Sequence, residues 1–230
     1  MEKGNKMASW MVHLRIADRL LDRICNLSYT EFVVGNMAPD SGIPNEDWSA
    51  FTPSGDISHF KTTDKDGLKD IHLHEYVGQF FSAEQRKQYN SQQKSFYLGY
   101  LTHLLTDIMW VDSIVRPCKI KFKDLYDTDR EEWIWTLKKD WYDLDFLYIE
   151  RNPNFRAFSI YRNAVGFQNE YMDFFSVDAF DNRREYIISY YSSKRDNLER
   201  EYPYLNEKEM ERFVDESSEK IYRILKEEYL

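Results

Sequence analysis

The stretch Phe96-Tyr97-Leu98-Gly99-Tyr100-Leu101-Thr102-His103-Leu104-Leu105-Thr106-Asp107-Ile108-Met109-Trp110 is almost wholly apolar, yet it carries a histidine and an aspartate four residues apart. On a helix, positions i and i+4 lie one above the other, so His103 and Asp107 point the same way from inside a hydrophobic element. Burying an imidazole and a carboxylate costs several kcal/mol unless both find strong partners. A divalent metal would satisfy both, and Gly99, one turn earlier on that face, leaves room for a close approach. A buried His–Asp hydrogen bond inside a helical core would satisfy them too. These residues alone leave both readings open.

The surrounding chain predicts an all-α protein. Eight glycines and six prolines in 230 residues leave few breakers. Long stretches follow the helical period rather than alternation, so strands have little support. No convincing domain boundary, internal repeat or low-complexity tract is visible, and the expectation is one helical domain over 1–230. A first helix opens at the N-cap Ser9 and runs to about Leu27, with Trp10, His13, Ala17, Leu20, Leu21 and Ile24 on one stripe. His13 therefore lies on an apolar face, where a lone histidine is usually a hydrogen-bonded core residue.

The apolar run Glu31 to Ala38 should stop before Pro39, because a residue preceding proline is biased to extended geometry. Asp40 then sits at the first bend of a loop. From Ser41 to Lys65 no periodicity is visible, but Trp48, Phe51 and Phe60 punctuate the stretch. Loops this long are usually functional or disordered, and the aromatics argue for an ordered one. His59 lies inside it, within Ser58-His59-Phe60.

Downstream, the spacing predicts a helix over 70–81. His72 and His74, two apart, face different sides of it and are taken as surface or supporting residues. Ser82-Ala83-Glu84-Gln85 reads as a capping box opening a short polar helix. The core helix then spans Ser91 to Val115, ended by Arg116-Pro117. Further helices are expected over 131–150, 155–167, 177–195 and from the box Asn206-Glu207-Lys208-Glu209 to the C-terminus.

Composition bounds the function. A formal charge of −9 disfavours nonspecific attraction to nucleic acid or anionic headgroups. No run approaches a membrane-spanning length, and the polar start Met1 to Lys6 is not followed by a signal-peptide pattern, so a soluble, cytoplasmic protein is expected. Cys25 and Cys118 give neither a disulfide framework nor a CxxC metal pair.

Taken in order, Ala8-Ser9-Trp10-Met11-Val12-His13, Gly35-Asn36-Met37-Ala38-Pro39-Asp40, Ser58-His59-Phe60 and Phe96-Tyr97-Leu98-Gly99…His103…Asp107 resemble the zinc-dependent phospholipases C and, more distantly, the single-strand-specific zinc nucleases. The resemblance covers roughly the first half of the chain. It implies a multi-helix bundle with a zinc centre that cleaves phosphate esters or phosphodiesters by activating water. Carried over by position, Asp40, His59, His103 and Asp107 would hold one zinc, and His13 would hold a second metal with Asp107 bridging. Asp107, Asp40 and His103 would then be the residues on which catalysis depends. Imidazole and carboxylate ligands suit zinc.

Two departures stand beside this. Three-metal members carry further histidines after the His-x-x-x-Asp motif, whereas no histidine follows His103. Secreted members also use a mature N-terminal amine as a ligand, which a chain starting at Met1 should lack. Asp112 and Asp140 are the carboxylates considered as substitutes. The expected partner is a small phosphate ester or phospholipid headgroup, with no stable nucleic-acid binding. A nucleotide or oligonucleotide phosphohydrolase, and a non-catalytic helical module with a structural metal or decayed site, are the alternatives. The first is disfavoured in its HD form because no adjacent His-Asp pair occurs.

Overall fold

A computed structural model of the chain describes residues 7–47, 49–63 and 69–230; Trp48 lies outside the described residues. It shows an all-α protein: helices α1 (Trp10–Leu20), α2 (Tyr29–Met37), α3 (Gly55–Ser58), α4 (Leu73–Phe80), α5 (Ala83–Gln88), α6 (Ser91–Trp110), α7 (Arg116–Lys121), α8 (Lys123–Thr128), α9 (Arg130–Arg151), α10 (Arg156–Asn163), α11 (Ala179–Ser192) and α12 (Glu207–Glu228). The strands described are two small antiparallel ribbons. β1 (Ile43–Pro44) pairs with β2 (Phe51–Thr52), and β3 (Lys61–Thr63) pairs with β4 (Lys69–Ile71), Lys61 opposite Ile71.

The expected caps form where the sequence places them. The Ser9 side chain accepts from the Val12 amide, and reciprocal capping boxes open α5 at Ser82 and Gln85 and α12 at Asn206 and Glu209. Each supplies partners for amides that the first helical turn leaves unpaired.

Four boundaries differ from the sequence reading. The first helix ends at Leu20, and the chain then turns through Asn26, whose φ of 57° is a left-handed conformation that asparagine tolerates. Ala38 is helical (φ −60°, ψ −40°) rather than extended, because the chain passes from α2 straight into a 3₁₀ turn, Ala38–Asp40. Pro39 occupies the start of that turn, where its missing amide is not needed. The segment expected to open the fourth helix at Asp70 is instead β4, paired with β3, so α4 begins only at Leu73. Finally, Arg116-Pro117 does not end the core helix. A π turn, Val111–Val115, shifts the hydrogen-bond register, and Pro117 falls in the first turn of α7.

The buried side chains form one continuous cluster that runs from α1 to α12. At its centre α2 and α6 cross almost backbone to backbone. A Cβ placed on Gly99 would lie 2.1 Å from the Phe32 carbonyl oxygen, and one on Gly35 would lie 2.1 Å from that of Phe96. The close approach allowed by Gly99 is therefore that of α2, not of a ligand. Because of it, the end of α2 and the 3₁₀ turn carrying Asp40 lie against the face of α6 that carries His103 and Asp107.

Candidate metal centre

Five side chains from four segments converge on this crossing: His13 from α1, Asp40 from the 3₁₀ turn, His59 just after α3, and His103 and Asp107 from α6. His13, His103 and Asp107 are fully buried, His59 is nearly so, and Asp40 is partly exposed. His103 Nε2 lies 3.3 Å from Asp107 Oδ2, the one-turn spacing expected from the sequence. The same Nε2 is 3.2 Å from His59 Nε2. His59 Nε2 is in turn 3.3 Å from Asp40 Oδ1 and 3.6 Å from Asp107 Oδ2. The His13 ring stacks on that of His103 with centroids 3.7 Å apart and planes 3° from parallel, and its Nε2 is 3.3 Å from Asp107 Oδ1.

The hydrogen bonds around the cluster fix what it offers. His103 Nδ1 is 2.7 Å from the carbonyl oxygen of Asn36, an acceptor only, so Nδ1 carries the proton. In the neutral ring Nε2 is then a bare lone pair aimed at a carboxylate oxygen and another imidazole nitrogen. His59 Nδ1 is tied to Ser58 Oγ at 2.9 Å, leaving its Nε2 on the inner side as well. Asp107 Oδ1 accepts from the Ala8 amide at 3.0 Å, but Oδ2 has no hydrogen-bond donor. Both nitrogens of His13 also lack a hydrogen-bond partner, since the contact to Asp107 is short without being aligned. Buried polar atoms without partners are rare because each costs about 1–3 kcal/mol. Three such atoms, on His13 and Asp107, meet in this cluster, where lone pairs face lone pairs. A cation resolves that, either a proton on His103 or a metal ion.

Electrostatics divide the three imidazoles. Burial pushes His59 down to about 4, with the Lys61 cation adding to the effect. Burial, reinforced by His103, also lowers His13. His103 is pushed down by burial too, but the Asp107 carboxylate outweighs this and the net shift is upward. Burial opposes ionisation of Asp107 and Asp40, yet the neighbouring histidines hold both below the ordinary carboxylate range. The cluster thus keeps two anions and at least two neutral imidazoles near neutral pH, the protonation states that metal ligands require.

Among the described residues, two groups bring one ligand atom each within 4.8 Å of one another: His13, His103 and Asp107, and Asp40, His59 and His103. The residue types and the orphaned atoms fit zinc.

The other carboxylates and histidines considered from the sequence lie elsewhere. Asp112 is exposed and pairs with Arg116, while Asp140 accepts from the amides of Tyr204 and Leu205 and pairs with Arg200 at 2.8 Å. Neither substitutes for a missing ligand, because each is committed to a cation of its own. His72 stands at the N-cap position of α4, its side chain meeting Thr62 at 3.0 Å rather than capping the helix, and the His74 ring lies 6.0 Å from that of His72. Sequence reasoning missed the Asn36 carbonyl, which only the α2–α6 crossing delivers. It also missed Arg183, a buried cation beside the site. That one left a signal, since Arg183 falls on the apolar stripe of α11 between Phe180 and Ile187.

Access is from the Asp40 side. A narrow cleft with room of about 20 Å³, lined by Asp40, His59, Trp10, Phe51 and Arg183, reaches the cluster there. Among the described residues, no helix is long and apolar enough to cross a membrane.

No curated protein and no solved structure shows significant similarity to the chain. A family model does match, and its description is zinc dependent phospholipase C, over residues 12–110. All five converging residues fall inside that segment, which begins one residue before His13 and ends three after Asp107. Over this segment, the chain is similar to the zinc-dependent phospholipase C family.

Proposed function

We propose that the protein is a zinc-dependent hydrolase of phosphate esters or phosphodiesters, with Asp40, His59, His103 and Asp107 as the principal zinc ligands and His13 at a weaker second position. The observation that carries this is the convergence of His103 Nε2, His59 Nε2 and Asp107 Oδ2 within 3.2–3.6 Å of one another, without a hydrogen bond to Oδ2. An imidazole nitrogen has one lone pair, so His103 can serve only one ion. Assigning it to the zinc held by Asp40 and His59 leaves His13 and Asp107 Oδ1 for any second ion. Two ligands are fewer than the three protein ligands of a typical catalytic zinc. One zinc, or two at most, is the expected content.

Zinc held there would supply Lewis acidity to phosphoryl oxygens and lower the pKa of water. The chain's own residues orient and exclude. Asn36 fixes the His103 tautomer, Ser58 fixes the His59 ring, and the Ala8 amide fixes the Asp107 carboxylate. Trp10, Pro39, Phe51 and Pro53 wall the cleft and keep bulk solvent from its inner end. Free thiols at Cys25 and Cys118 support a reducing compartment, the cytoplasm, and the continuous core supports one domain over the whole chain.

The near-complete burial of the cluster favours one competing reading, a closed structural zinc without turnover. One experiment separates the two: untagged protein, analysed for zinc, is assayed against chromogenic phosphodiesters, phosphomonoesters and short-chain phospholipids. Zinc near one equivalent with turnover of one class supports the proposal. Zinc without turnover in a broad screen moves the conclusion to the structural reading, and absence of zinc overturns both.

A further inference from the structure

Arg183 projects from the middle of α11 and is only 6% exposed. Its guanidinium donates to the Gly42 carbonyl oxygen and sits among three rings, 6.0 Å from the centroid of Trp10, 5.7 Å from Phe51 and 5.5 Å from Tyr186. Among the described residues no carboxylate pairs with it, although the other arginine buried on the same helix, Arg184, has Asp181 at 2.6 Å. A guanidinium has five N–H donors and is never deprotonated in proteins. One carbonyl and three ring faces stabilise it only in part, and a buried charge without an opposite charge is costly. Arg183 also lines the cleft that Asp40 and His59 line.

The geometry points to Arg183 as the binding residue for a negatively charged phosphoryl oxygen of the substrate, the counter-charge that this cation lacks. The inference rests on the metal reading of the same cleft. Its room of about 20 Å³ exceeds the ~10–15 Å³ that one water needs, so it admits a single oxygen while the remainder of the ester stays at the open side. That oxygen would meet the zinc ligands on one wall and the guanidinium on the other, a charge-assisted contact of the kind arginine makes with phosphate.

A consequence for specificity follows. Trp10, Phe51 and Tyr186 form an aromatic cage of the kind that recognises quaternary ammonium groups, but the guanidinium already occupies it. The site selects for anionic charge rather than for a cationic headgroup.

The test is titration of zinc-containing protein, free of excess metal, with inorganic phosphate in a calorimeter, for wild type, Arg183→Gln and Arg183→Lys. Zinc content and thermal midpoint are measured on the same samples. Phosphate binding should weaken at least tenfold in the Gln variant at unchanged zinc content. The Lys variant, which keeps the charge but not the planar fork, should lie between it and wild type. Tetramethylammonium should bind none of the three. If the Gln variant does not fold, the Lys variant decides alone, with a loss of at least threefold expected. Phosphate affinity unchanged by the substitutions, or no phosphate binding by zinc-containing wild type, overturns the inference. Absence of zinc fails the metal reading separately.

Discussion

The imidazole of His103 shows how much one side chain can settle. Its Nδ1 is spent on the Asn36 carbonyl, so its Nε2 must face Asp107 and His59 as a lone pair or as a cation's partner. Asp107→Asn keeps the shape of the carboxylate but removes the charge, and His103→Ala removes the imidazole nitrogen at the centre of the cluster. Each is expected to lose the zinc and to lower activity at least ~100-fold, beyond the 10–100-fold typical of residues that only support a ligand. Zinc analysis and assay at equal folded fraction check this. A second buried carboxylate behaves differently. Asp145 on α9 accepts from Ser9 at 2.9 Å and Tyr191 at 2.7 Å, yet burial dominates and pushes it up to about 7. The folded state therefore holds a proton that the unfolded chain releases near pH 4. Stability from this group is complete below that pH, declines as pH rises towards 7 and is lost above it, by an amount on the order of a few kcal/mol. Relative to wild type, Asp145→Asn should gain stability between pH 5 and pH 8. Denaturant midpoints at the two pH values read this out, and taking the difference cancels the opposing titration of His13 and His59.

At the scale of elements, the α2–α6 crossing is what builds the site. Two glycines, Gly35 and Gly99, let the helices meet with no side chain between them. Gly99→Ala would drive a methyl into the backbone of α2 at Phe32. The helices must then part, and a loss of roughly 3 kcal/mol is expected, the upper end of ordinary overpacking because the obstacle is backbone rather than a yielding side chain. Parting them also withdraws Asn36 and Asp40 from His103. Zinc affinity should consequently fall in this variant although no ligand is changed, and a competition titration with a chelating dye measures it. Stability lost with zinc affinity intact would show that the crossing and the centre are not coupled in this way.

For the molecule as a whole, four separate segments meet at a cluster of orphaned polar atoms, so metal binding and folding should be linked. Ligand bound only to the folded state adds about 2.7 kcal/mol at a hundredfold excess over Kd. In a domain of this size each kcal/mol moves the midpoint by about 2–4 °C. Removing zinc with a chelator should therefore lower the thermal midpoint by roughly 5–10 °C, and zinc should restore it. A midpoint indifferent to chelation would mean that the cluster is held by protons alone.

The sequence by itself determined the helical class, the helix caps and the His103–Asp107 pair, because these depend on local features: capping side chains, the helical period, and polar groups placed where burial would be costly. His103 and Asp107 were legible from a spacing of four on one apolar helix. His59 and Asp40 were legible only as members of an ordered set of motifs, since nothing local distinguishes them from turn residues. What tertiary structure decided is whatever depends on two segments distant in the chain. Gly99 serves α2 rather than a ligand, Asn36 sets the tautomer of a histidine 67 residues away, and Asp140 answers to Arg200 instead of a metal. Arg183 faces the same cleft from a helix outside the family-matched segment. Local sequence fixes which way a side chain points from its own element. Which other element it then meets is set by how the cores of all of them pack together.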